Sequence, residues 1–116
     1  MFNFEKLEVW GKSIAFAGKI YRITRQFPRE EQFGLTNQIR RAGNSIASNI
    51  AEGSARPPAD FARFLGYATG SVFEVVTQVT IARNEGFLDS IVYQELYADA
   101  DEISRMLSGL RRSLGE

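Results

Sequence analysis

The chain predicts an all-α protein: an antiparallel, up-down-up-down four-helix bundle, one domain over residues 1–116, assembling as a homo-oligomer. Three observations carry the bundle. Apolar residues recur at alternating spacings of three and four through four long segments. No segment alternates with the period of two that a half-buried strand needs. The connections between the four segments are short and marked by Pro and Gly, which favours neighbouring helices that run in opposite directions.

The first helix is expected from about Lys6 to Phe27, where Pro28 disfavours helical backbone at the residue before it. It is apolar on two faces. One carries Leu7, Trp10, Ile14, Ala17, Tyr21 and Thr24, and the other Val9, Phe16, Ile20, Ile23 and Phe27. A small bundle buries one stripe per helix, so the second face predicts a wider core contact or a neighbouring subunit. The following turn, Pro28 to Gly34, is polar apart from Phe33, which is expected to be buried.

The second helix, Leu35 to about Glu52, places Leu35, Ile39, Ala42, Gly43, Ile46 and Ile50 on its core face, with Gly53 expected as the left-handed residue that ends it. Beside that stripe runs a polar one: Gln38, Arg41, Ser45, Ser48, Asn49 and Glu52. After the stiff connector Ser54-Ala55-Arg56-Pro57-Pro58, the third helix is expected over about Ala59 to Glu85. Phe61, Leu65, Ala68, Val72, Val75, Val79 and Ala82 form a heptad seam. At 1.5 Å per residue this helix is roughly 40 Å long, so its partners must be long too. Its flank carries Ser71, Glu74 and Gln78 at the spacing of the second helix's polar stripe. Arg41, Ser45, Asn49 and Glu52 are therefore expected to meet Ser71, Glu74 and Gln78 in a structural polar seam, at a helix–helix or subunit contact. The fourth helix, Ser90 to about Leu114 with Asp89 as N-cap, buries Val92, Leu96, Ala100, Ile103, Leu107, Leu110 and Leu114.

Composition narrows the function. With 44% hydrophobic and 24% charged residues the chain is ordinarily globular. No run approaches the roughly 18 apolar residues of a membrane span, and the first residues lack a signal peptide's order, so a cytoplasmic protein is expected. There is no Cys and no His, which removes thiolate and imidazole ligands and the commonest general base. The Glu-x-x-His pairs of di-iron bundles and the Arg-x-x-x-x-His motif of four-helical HEPN ribonucleases are thereby excluded, and neither an enzyme nor any cofactor or metal is expected. Net charge is zero but unevenly spread: residues 1–63 hold ten Lys/Arg against six Asp/Glu, and residues 64–116 four against eight. The basic half offers Lys12, Lys19, Arg22, Arg25, Arg29, Arg40 and Arg41 as a candidate nucleic-acid surface.

The run Leu7-Glu8-Val9-Trp10, the segment Phe27 to Thr36, the motif Ser45-Ile46-Ala47-Ser48-Asn49-Ile50-Ala51-Glu52-Gly53 and the pair Gly70-Ser71 with Glu74 and Gln78 strongly resemble the bacterial four helix bundle protein family. That family is also known as the large-subunit ribosomal RNA intervening-sequence protein family, and it is related to the accessory variability determinant of diversity-generating retroelements. The resemblance implies a homo-oligomer, a ring of five bundles by analogy, that engages RNA or a nucleic-acid-handling protein. The alternative is a protein-interaction scaffold or accessory subunit with no nucleic-acid role.

Overall fold

Each of the four periodic segments becomes one helix. A computed structural model describes residues 1–116, with α1 at Glu8–Thr24, α2 at Leu35–Ser54, α3 at Pro58–Asn84 and α4 at Ser90–Ser113. Single 3-10 turns occupy Asn3–Lys6 and Arg29–Glu31, and there is no strand. The helices pack in cyclic order, α1 on α2, α2 on α3, α3 on α4 and α4 back on α1. The resulting body measures 43 × 22 × 20 Å, its length set by the 27 residues of α3. No helix is long and apolar enough to cross a membrane.

The ends follow local chemistry, with one reassignment. Asp89 caps α4, its carboxylate accepting from the Val92 amide at 2.8 Å, and Pro58 opens α3 where its missing N–H has no cost. Gly53 is not left-handed, and α2 continues through it to Ser54; left-handed glycines stand instead beyond α3, at Gly86 with φ of 80°, and beyond α4, at Gly115. After α3 the Gly86 amide donates to Arg83 O and the Phe87 amide to Ala82 O, closing the helix end. Gly53 serves packing instead, since a Cβ built on it would stand 2.5 Å from Phe64 Cβ. It lets α2 and α3 approach where any side chain would hold them apart.

Ile20, Ile39, Ile46, Ile50, Leu65, Val72, Val75, Leu96, Ile103 and Leu107 are fully buried. Of the two apolar faces of α1, the bundle takes the one with Val9, Phe16 and Ile20. Ile14 on the other face is 47% exposed, and Trp10 is half-buried with Phe4 edge-on at 5.2 Å. Phe33, expected inside, is 89% exposed: it lies in the short turn that enters α2, and Leu35 and Thr36 close that end of the core in its place. Two polar residues in the α1 core face satisfy themselves locally. Ser13 Oγ donates to Val9 O at 2.7 Å and Thr24 Oγ1 to Ile20 O at 2.7 Å.

The α1/α4 side is closed by charge. Lys12 Nζ lies 3.0 Å from a Glu102 oxygen, and Lys19 Nζ donates to Asp99 Oδ2 at 3.0 Å with Glu95 at 3.6 Å.

Candidate nucleic-acid interface

The seven basic residues singled out by sequence separate into three groups. Lys12 and Lys19 are not free: the acidic first half of α4 lies across from them and takes both. The hydrogen bond to Asp99 is the chief reason the Lys19 ammonium is held above its ordinary pKa of 10.5, against partial desolvation that lowers it. These two lysines therefore drop out of the candidate surface. Periodicity could place them on α1, but not opposite a particular stretch of α4.

Arg25, Arg29 and Arg40 converge. They line a cleft of about 250 Å³ at one end of the bundle, with Thr24, Gln32 and Thr36 and no acidic residue in its lining. The convergence is local in origin. α1 ends at Thr24, Pro28 is extended at φ −55°, ψ 141°, and the next residues form the 3-10 turn at Arg29. That brings Arg29 to the same opening as Arg25 at the end of α1 and Arg40 on the second turn of α2. Arg40 is fixed: Nε donates to Thr24 Oγ1 at 2.8 Å, and the guanidinium lies 4.8 Å from the Tyr21 ring centroid. Arg25 and Arg29 are exposed and form no ion pair. Three arginines without a counter-charge in the lining offer planar donor sets of the kind that match phosphate oxygens. Arg22 is exposed on α1 beside it.

Arg41 belongs to a different place. Gln38, Arg41 and Ser45 of α2 and Ser71, Glu74 and Gln78 of α3 line a cleft of about 460 Å³ with Ala42 as its one apolar residue. Ser71 Oγ donates to Ser45 Oγ at 2.9 Å, forming its floor. Asn49 stands behind that floor, its amide donating to Ser45 O and Oγ. Glu52 is not in the seam. It lies beyond, exposed, 3.8 Å from Arg56 one turn on in the chain. Arg41 and Glu74 share the cleft without pairing, and both are exposed in the single chain. The large cost of stranding a buried charge therefore does not attach to either within one bundle. Gln78 Oε1, by contrast, is buried with no hydrogen-bond partner within the chain. No group of three or more acidic side chains is arranged to hold a metal ion.

Residues 5–109 match the family model of the 23S rRNA-intervening sequence protein. The chain belongs to that family. A solved structure agrees with the fold: a protein of unknown function from the S23 ribosomal protein family, from Bacteroides thetaiotaomicron VPI-5482, determined at 1.70 Å. It is 26% identical to this chain, covers 89% of it and 97% of its own length, and superposes with a TM-score of 0.79. No curated protein matches the chain. Within this intervening-sequence family member, then, two sites stand out by their unspent polar groups: the arginine cleft and the α2/α3 cleft. What sequence reasoning missed is the support of Arg40 by Thr24 and Tyr21. Thr24 had been counted with an apolar face, and nothing in a periodicity shows a cross-helix hydrogen bond.

Proposed function

We propose that the protein is a non-enzymatic RNA- or ribonucleoprotein-binding module of the cytoplasm, acting as a homo-oligomer of antiparallel bundles with five copies favoured by family resemblance. The observation that carries the binding role is the cleft of Arg25, Arg29 and Arg40, three cations whose lining holds no carboxylate. Phosphate is the anion that a family tied by name to ribosomal RNA would meet there.

The antiparallel order is supported by the pairing along α2 and α3. Ser45 meets Ser71, while Gly53, further along α2, meets Phe64, earlier on α3. Assembly is supported by the unburied face of α1, where Trp10, Ile14 and Ala17 join Phe4, Ala47 and Ala51 in an apolar groove. Repetition of the arginine cleft around an oligomer would turn weak single contacts into avidity.

Fluorescence anisotropy with single-stranded and hairpin RNA tests the reading. Three arginine–phosphate contacts give a log–log salt slope of about −2 per copy at ~0.7 per phosphate, and replacing Arg25 and Arg29 by Ala should lower it by about 1.4. Unchanged RNA affinity in that double variant, or no binding at low salt, overturns it. The second reading, a protein-interaction scaffold, draws on the α3/α4 groove, where Phe73 is 60% exposed beside Tyr97. A partner seated there would bind with little salt dependence.

A further inference from the structure

We infer that Phe33 is a stacking platform for an unpaired nucleobase of an RNA strand whose phosphates occupy the arginine cleft. That role rests on the RNA-binding reading and adds to it a preference for single strands. Phe33 is 89% exposed, stacks on no other ring and is not among the partly buried side chains that pack on the core. Its backbone is nevertheless held on both sides. The Gly34 amide donates to Glu31 O at 3.0 Å, the Leu35 amide to Glu31 Oε1 at 3.1 Å and the Gln38 amide to Gly34 O at 3.0 Å. A ring presented to water from a fixed turn is already ordered for a flat partner, which lowers the cost of binding one.

Its position supplies the chemistry of that partner. The 3-10 turn puts Arg29 and Gln32, three residues apart, on one side, and both line the cleft with Arg25 and Arg40. Phe33 follows Gln32 directly, so its Cα is about 3.8 Å from that of a cleft residue. A chain that lays phosphate against the arginines and continues past Gln32 meets an aromatic face. In a single strand each phosphate is joined to a base with free π faces, and stacking on aromatic side chains holds such strands without regard to sequence. A duplex keeps its bases stacked inside and would use the arginines alone. Cations beside one apolar side chain also suit an anionic membrane, but exposed Glu30, Glu85 and Asp89 stand at this end of the bundle, where Phe27 packs on Phe87. A flat anionic surface brings those carboxylates against its own charge, whereas a strand passing over the Arg29 side of the turn does not.

The test compares the native chain with Phe33→Ala and Phe33→Trp, the fold of each checked by thermal unfolding. The probes are a short single-stranded RNA of mixed sequence, an abasic strand of the same length and a blunt RNA duplex. Fluorescence anisotropy at low salt should show Phe33→Ala binding the single strand about ten-fold more weakly, the scale of one lost base stack. Its salt slope should not change, because no phosphate contact is lost. Phe33→Trp should bind at least as tightly as the native chain, and the abasic strand and the duplex should be bound alike by all three. Equal affinity of the native and Phe33→Ala chains for the single strand overturns the stacking role and leaves the arginine cleft, probed by its own variants, standing. No RNA binding by the native chain ends both. A loss in Phe33→Ala that persists on the abasic strand also overturns the stacking role. So does unchanged RNA affinity in Phe33→Ala alongside altered sedimentation, which makes Phe33 a contact between copies, or alongside lost co-sedimentation with phosphatidylserine vesicles, which makes it a lipid contact.

Discussion

Gly53→Ala is expected to destabilise the protein even though alanine is the better helix former. Gly53 is the penultimate residue of α2 and not left-handed, so the substitution gains at most about 1 kcal/mol of helix propensity. Against this, the new Cβ would stand 2.5 Å from Phe64 Cβ and 3.1 Å from Phe61 Cδ1. The Phe64 atom is attached to the α3 backbone and cannot rotate aside, so the two helices must separate by about 1 Å at this point, an overpacking that costs ~1–3 kcal/mol. Subtraction leaves a net loss of up to about 2 kcal/mol, which at ~4 °C per kcal/mol for a domain of this size lowers Tm by as much as about 8 °C. Gly70→Ala is the internal control. It lies inside α3 with nothing within 4 Å of the added methyl, so it should stabilise by about 0.5–1 kcal/mol. Urea and thermal unfolding of both variants measure the pair. A Gly53→Ala protein as stable as Gly70→Ala would refute the claim that close approach of α2 and α3 governs this position.

Two more expectations follow from surfaces of opposite character. The Lys19 pKa is raised in the folded state by its hydrogen bond to Asp99, so its contribution is full below 10.5 and is lost as pH rises through the folded value. The Lys19 side chain keeps 30% of its surface in water, and solvent screening there limits the effect to a few tenths of a kcal/mol; Asp99→Asn should flatten the stability difference between pH 9 and pH 12. Ile14→Lys should leave the fold intact, because the side chain is already 47% exposed, while shifting sedimentation toward smaller species. An unchanged sedimentation profile would remove the α1 groove from the assembly surface.

Helix number, order and core faces were legible because a 3.6-residue period records which side of a helix avoids water, and in Leu65, Val72, Val75 and Val79 that record runs without interruption. What was not legible depended on choices between equal candidates. The first helix offered two apolar faces, and only the shape of the assembled bundle decided that Phe16 and Ile20 go inward while Ile14 does not. Gly53 reads as a helix stop by composition, yet its role comes from Phe64 eleven residues later, which no local rule contains. The basic list likewise carried no geography. Charge counts cannot say that Lys12 and Lys19 stand over α4 acids while Arg25 and Arg29 stand over none. The polar stripes of α2 and α3 did come together at Ser45 and Ser71, but Glu52 lay too far along α2 to share that cleft.

The ion-paired side of the bundle also gives the molecule a preferred line of opening. α1 is the shortest of the four helices at 17 residues, and two lysines bridging to Glu95, Asp99 and Glu102 help to hold it to α4. Exposed ion pairs weaken as salt shortens the reach of charge, whereas the contact of α2 with α3 is built largely from apolar side chains and does not. Raised ionic strength should thus quicken amide exchange in α1 before any change is seen at Ile46 or Val72. Val9, Phe16 and Ile20 keep α1 seated in the core throughout, so the loosening stays confined to its seam with α4.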